Sequence, residues 1–188
     1  MKYAVKFSFM EEWKTYNLGE FCTFQEGYVN PSQGVPEYFD GDVKWVRAVD
    51  LNNAKVYDTS RKLTKEGFLS ARKSAIMFEP HTIVISKSGT IGRLGMIEDH
   101  MCGNRATINI RPKSNTNIDF VFYLLLANQD MIASHAVGSV QKNLYVSTLE
   151  NLEFRFPPLE VQSNIVDILS SIDSKIELNN RINHNLPS

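Results

Sequence analysis

Residues 156–176 read F-P-P-L-E-V-Q-S-N-I-V-D-I-L-S-S-I-D-S-K-I, and this stretch divides the 188-residue chain in two. From Leu159 to Leu186 there is neither Gly nor Pro, and the residues are helix-compatible throughout. Ile165, Leu169, Ile172 and Ile176 follow one another at spacings of 4, 3 and 4, the seam of a coiled coil. Ile168, Ile182 and Leu186 widen the stripe, and Asn179 and Asn183 continue its phase, where a polar residue costs stability but fixes register. The pair Pro157-Pro158 suits the start of a helix, whose first turn has no backbone N–H to lose. The stripe could fold back on its own domain, but its length and terminal position read as a surface for a partner helix. A helix over 160–184 would be about 37 Å long at 1.5 Å per residue, close to one turn of B-DNA at roughly 34–36 Å.

Working back toward the N-terminus, residues 1–158 read as one strand-rich α+β domain. Thr82–Ser86 (T-I-V-I-S) and Thr107–Arg111 are strands by β-branching and alternation. Strands are also predicted within Trp13–Phe24, at Val43–Val49, Leu94–Glu98 and Glu153–Phe156. Gly27–Gly41 reads as a long loop, and Ser88-Gly-Thr-Ile-Gly92 as a tight turn whose glycines supply positive φ. Thr64 is the expected cap of a short helical turn. Asn117–Ala136 reads as one helix capped at Asp119, and Ser147-Thr-Leu-Glu150 as a capping box.

Composition places the chain among ordinary globular proteins: 43% hydrophobic, 22% charged, with 20 aromatic residues for a core. Cys22 and Cys102 can form at most one disulfide and read as reduced thiols of a cytoplasmic protein. The longest apolar run, Phe120–Ala127, is far short of the ~20 residues that span a bilayer. Charged Lys6, Glu11 and Glu12 stand where a signal peptide needs its apolar stretch. No membrane partner is expected.

The formal net charge of −1 conceals a segregated pattern. Residues 44–113 carry 13 basic and 6 acidic side chains, a net of +7, while residues 1–43 carry −4 and the two later segments, 114–158 and 159–188, −2 each. A basic middle in a near-neutral chain points to an anionic partner for one face, because local potential governs encounter. Arg61, Lys62, Lys65, Arg72 and Lys73 are the densest part of it. Polar and basic residues also gather at three turns: Lys87, Ser88, Thr90 and Arg93; Asn104 and Arg105; and Gln141, Lys142 and Asn143 after Gly138. Arg, Lys, Asn and Gln read base edges, and Ser, Thr and Lys hold phosphates.

Signs of catalysis are sparse. The four histidines have no metal-ligand spacing with either cysteine. No G-x-S-x-G or G-x-G-x-x-G occurs, and Lys87–Gly92 lacks the residue order of a phosphate loop. The triplets Asp42-Val-Lys44 and Asp173-Ser-Lys175 are matches that chance supplies. A non-catalytic protein without metal or cofactor is expected.

Seven segments, taken in order, resemble one half of a specificity (S) subunit of type I restriction–modification systems. They are Trp13–Phe21 (W-K-T-Y-N-L-G-E-F), Gly41–Leu51 (G-D-V-K-W-V-R-A-V-D-L), Leu63–Gly67 (L-T-K-E-G), Ile85–Gly92 (I-S-K-S-G-T-I-G), Gly103–Arg105, Gly138–Leu144 (G-S-V-Q-K-N-L) and Phe156–Ile176. The resemblance implies a DNA target recognition domain over 1–158 and a spacer helix over 159–188. Such subunits usually hold two of these units in tandem, with antiparallel helices that dock methyltransferase (M) subunits and, through the complex, restriction (R) subunits. Each domain reads one half of a split DNA site. With one unit, this chain is expected to pair through Ile165, Leu169, Ile172, Ile176, Asn179 and Ile182, as a homodimer or with a second specificity half, and to use no cofactor of its own. Arg105 stands where many members of the family have Gln after Asn. Two other readings stay open: an orphan half-subunit that regulates methyltransferase assembly, and the specificity portion of a fused modification enzyme.

Overall fold

The computed structural model describes residues 13–139 and 141–185, with side chains of the last helix described to Asn179 and at Ile182. Thr82–Ser86 (β7) lies at the centre of a five-stranded sheet, every one of its residues buried. Its neighbours on one side are Leu94–Ile97 (β8) and Ala54–Val56 (β4). On the other side lie Thr107–Pro112 (β10) and Cys22–Glu26 (β2), giving the order β2-β10-β7-β8-β4. A second sheet of four strands has Lys62–Leu63 (β5), Phe39–Val46 (β3), Met101–Gly103 (β9) and Met77–Phe78 (β6) in that order. Lys14–Asn17 (β1) pairs antiparallel with Glu153–Phe156 (β11).

Between the first two sheets Val46, Leu51, Val56, Phe78, Val84, Ile97 and Met101 form one buried cluster. The larger cluster lies on the other face of the five-stranded sheet. It joins Ile83, Ile85, Ile108 and Ile110 to the apolar face of Ile118–Ala127 (α3) and to Phe154 and Phe156. Strict alternation in β7 and β10 is what lets one sheet serve two cores, since successive side chains point to opposite faces. Both cysteines are buried, Cys22 in the larger cluster and Cys102 in a third with Val29, Phe39, Trp45 and Leu63, and burial pushes their thiols up to about 12, which disfavours the thiolate.

The structure corrects four local expectations. Trp13–Phe24 is two strands separated by one helical turn, Leu18–Phe21 (α1), opened by the Glu20 carboxylate, which accepts from the Asn17 N–H at 2.9 Å. Asn117–Ala136 is two helices, α3 and Gln129–Ser134 (α4), broken at Asn128, whose side-chain amide donates to the Leu124 carbonyl. The cap of α3 is Asn117, not Asp119: its Oδ1 accepts from the N–H groups of Asp119 (3.0 Å) and Phe120 (3.2 Å). Ser147 lies inside Val146–Glu150 (α5), which starts after Tyr145 with no side-chain cap. Thr64, by contrast, caps Lys65–Leu69 (α2) as expected, accepting from the Gly67 N–H at 3.1 Å.

Leu159–Asn185 (α6) begins directly after the proline pair, and at 1.5 Å per residue it is about 40 Å long. Its root is built into the domain. Gln162, 2% exposed, accepts from the Asn117 N–H at 3.1 Å and donates to the Pro157 carbonyl at 3.0 Å. Farther along, the Tyr123 hydroxyl donates to Asp173 at 2.6 Å. Gln162→Leu leaves two buried backbone groups unsatisfied and is expected to cost about 1–3 kcal/mol, read as a Tm lowered by roughly 2–4 °C per kcal/mol.

The predicted seam is divided by this packing. Ile165 and Val166 rest against the domain core and Leu169 is half-buried, whereas Ile172, Ile176, Asn179 and Ile182 are exposed, joined by Ile168. Met1–Glu12, Val140, the Asn183 side chain and Leu186–Ser188 lie outside the described residues. No described helix is long and apolar enough to cross a membrane.

Candidate nucleic-acid interface

The three polar turns found in the sequence converge on one residue. The backbone of Lys87, at the end of β7, donates to the Ala106 carbonyl at 2.7 Å and accepts from the Leu144 N–H at 2.9 Å. That brings the 87–93 turn, the 104–106 turn and the 138–144 segment together at the C-terminal end of β7, on one rim of the five-stranded sheet. Ser86 organises the first turn: its hydroxyl donates to the Thr90 carbonyl and accepts from the Arg93 N–H (2.9 Å). Gly89 and Gly92 have φ of +74° and +88°, so the turn-geometry reading of these glycines fits the structure. Asn104 organises the second turn: its Oδ1 accepts from the Ala106 N–H and its own N–H donates to the Val46 carbonyl. In the third, Val137 and Asn143 exchange backbone hydrogen bonds around Gly138, with Gln141 and Lys142 exposed at the tip.

Side chains on this rim fall into two kinds. Arg93, Arg105 and Lys142 are exposed and make no ion pair among the described residues. Lys87 is half-buried and paired to Glu26 at 2.6 Å, and the Tyr28 hydroxyl donates to the same carboxylate at 2.6 Å. Burial works to raise the Glu26 pKa, but the hydrogen bonds from Lys87 and Tyr28 outweigh it and hold the carboxyl below its ordinary value. A lowered folded pKa contributes stability that is complete above the unfolded value near 4.5 and is lost as pH falls through the folded one. Glu26→Gln should therefore melt below wild type at pH 7, with the gap narrowing as the pH falls below 4.5; a gap constant with pH would exclude this pairing as the source.

The Arg61–Lys73 group sits on the four-stranded sheet. Lys62 pairs with Asp58 at 3.1 Å, while Lys65 on α2 and Arg72 and Lys73 on the following 3-10 turn are exposed and unpaired among the described residues. Arg61 Nη1 donates to Gln33 Oε1 at 3.0 Å, and its guanidinium lies 4.2 Å over the Phe39 ring. A residue missed in the sequence links this group to the turns. Arg47 follows Val46, the partner of Asn104, and its Nη2 donates to Ser60 Oγ at 2.7 Å, next to Arg61. Ser60 is anchored on buried Asp50, which accepts from its N–H and its hydroxyl. Arg47 stood inside the W-V-R-A-V-D-L segment, but Ser60, the partner that links it to Arg61, lies 13 residues away, beyond the reach of local pattern. Among the described residues no group of three or more His, Cys, Asp and Glu is placed to hold a metal ion. Both carboxylate–lysine triplets are engaged structurally, Lys44 with Asp99 at 2.7 Å and Asp173 with Tyr123.

A family model described as the type I restriction modification DNA specificity domain matches residues 10–188. The chain belongs to this family. Members of the specificity family recognise DNA and are not the catalytic subunits, in keeping with a chain that shows no catalytic motif. The specificity subunit of the type I restriction enzyme MjaIX from Methanocaldococcus jannaschii is 26% identical over 193 residues, covering 94% of this chain and 44% of that protein. The specificity-domain fold is also found in the HsdS subunit from Thermoanaerobacter tengcongensis, with a TM-score of 0.63, 18% identity, and 91% of this chain matched to 40% of that one. A chain from a study of complex assembly and conformational transition of the type I R-M system superposes with a TM-score of 0.69 at 17% identity, over 91% and 40% of the two chains. The chain spans less than half the length of the curated relatives it matches. The strand-rich domain with a long C-terminal helix is the architecture expected of a specificity domain.

Proposed function

We propose that this specificity domain binds double-stranded DNA sequence-specifically, reading one half of a bipartite site and directing methyltransferase and restriction subunits to it. The observation that carries the reading is the meeting of three polar turns at Lys87, continued through Arg47 and Ser60 to Arg61. Arg61, Lys62, Lys65, Arg72, Lys73, Lys87, Ser88, Thr90, Arg93, Asn104, Arg105, Gln141, Lys142 and Asn143 form the proposed footprint, with the recognition domain ending at residue 158. Exposed Lys65, Lys73 and Lys142 suit phosphates, and paired Lys87 acts first as a structural tie. On α6, exposed Ile168, Ile172, Ile176 and Ile182 are the proposed contact for a second copy or a second specificity half.

Binding to duplex DNA of random sequence over a range of salt tests the footprint. Lys65→Ala and Lys73→Ala should each weaken binding across all sequences and lower the salt slope by about one unit. An unchanged slope in both removes them from the interface. Weak, sequence-independent DNA binding combined with tight binding to a methyltransferase subunit would point instead to a regulator of assembly.

A further inference from the structure

Resting on the DNA-binding reading above, we propose that Arg47 and Arg61 recognise guanine bases, while the lysines around them hold phosphate. Phe39 and Trp45 stand on either side of an irregularity in β3 and pack into one buried cluster. Both rings are buried, and their centroids lie 6.2 Å apart. Arg61 lies over the first ring at 4.2 Å and Arg47 over the second at 5.3 Å. Two guanidinium groups thus rest on a platform of two adjoining rings tilted at 50° to one another. The platform is itself fixed, since the Trp45 indole N–H donates to the Val29 carbonyl at 2.8 Å.

Each arginine spends one terminal nitrogen on the protein. Arg61 Nη1 is held by Gln33 and Arg47 Nη2 by Ser60, which Asp50 holds in turn. Arg61 Nη2 and Arg47 Nη1 have no partner among the described residues. Stacking and these tethers, joined for Arg47 by the buried Asp50 carboxylate 3.8 Å from its Nε, fix the plane of each group before any ligand arrives. A phosphate, approachable from many directions, gains little from such restraint. A guanine edge gains much, because O6 and N7 accept two parallel N–H bonds from one planar fork. Lys65, Arg72 and Lys73, with no comparable support, have the freedom that suits backbone contact.

The test is selection from randomised duplexes with the full chain, comparing wild type, Arg47→Lys and Arg61→Lys. Lysine keeps the charge and loses the stacked fork. The wild-type site should contain a G·C pair matched to each arginine, preferred roughly ten- to a hundred-fold over other pairs. Each Lys variant should lose that preference at one position only, with its salt slope unchanged. A selected sequence that stays the same in both variants overturns the proposal while leaving DNA binding intact. So does a uniform fall in affinity with a lower salt slope, which marks phosphate contact. Relaxation in one variant alone overturns the paired platform. A wild-type chain that selects no sequence removes the DNA-binding reading, and this proposal with it.

Discussion

Gly27→Ala is expected to be strongly damaging to the domain, costing about 3–5 kcal/mol and disabling the Asn104 turn. A Cβ at Gly27 would sit 2.6 Å from the Gly103 carbonyl carbon and closer still to the Asn104 carbonyl oxygen. These are backbone atoms, so no rotamer change relieves the clash. Overpacking of this kind costs about 1–3 kcal/mol and occasionally more. Forced separation also breaks the bonds from the Gly27 N–H to Thr107 and from the Val29 N–H to Gly103, each worth about 1 kcal/mol. Gly89→Ala is the control. Its φ of +74° strains alanine by roughly 1–2 kcal/mol, but its Cβ meets nothing within 4 Å. Thermal melts should show Gly27→Ala falling by about 10 °C or more and Gly89→Ala by only a few degrees. Equal drops would mean that the close approach of Gly27 does not support the turn.

The second large effect is on assembly. Ile172 and Ile176 are 47% and 52% exposed on α6. Full burial of an isoleucine contributes about 1.5–3 kcal/mol, so Ile172→Asp with Ile176→Asp should raise the Kd of a helix-mediated dimer at least a hundredfold. By light scattering the wild type should approach 43 kDa, twice the 21.4 kDa chain, and the double variant should return to the single-chain mass. The Tm of the domain should hardly move, because neither side chain packs in its core. A wild type that scatters as a single chain at high concentration overturns self-pairing. Ile165→Asp is the complementary probe: Ile165 rests on the core, so the fold itself should weaken.

What the sequence displayed and what it hid have physical causes. β7 and β10 were legible because buried, β-branched residues alternate there without interruption, and Thr64 because a cap is a local bond. β4, β5, β6 and β9, of two or three residues each, went unread: strands that short are defined by their partners, not by their own composition. The helix over Asn117–Ala136 was read as continuous because Asn128 is a tolerable helix residue, and only its bond to Leu124 reveals the break. The polar turns were found by composition, but their meeting at Lys87 depends on strand pairing across distant segments. Arg47 and Gln162 were missed for the same reason: each is an ordinary residue in its own neighbourhood, and its importance comes from a partner elsewhere, Ser60 or Asn117. Tyr28 bonds Glu26 only two residues away, but that pair gains its importance from distant Lys87.

Gln162 sits at the junction where the domain becomes a rod. Clamped to Asn117 and Pro157 at the base, and pinned again by Tyr123 at Asp173, about three turns higher, α6 leaves the domain as a braced mast and not as a tether. Any body fastened to its outer stripe inherits the heading of the recognition turns. The distance and angle between two reading heads would then be set when each protomer folds, before DNA is met, and a site with the wrong gap would be refused by rigidity alone.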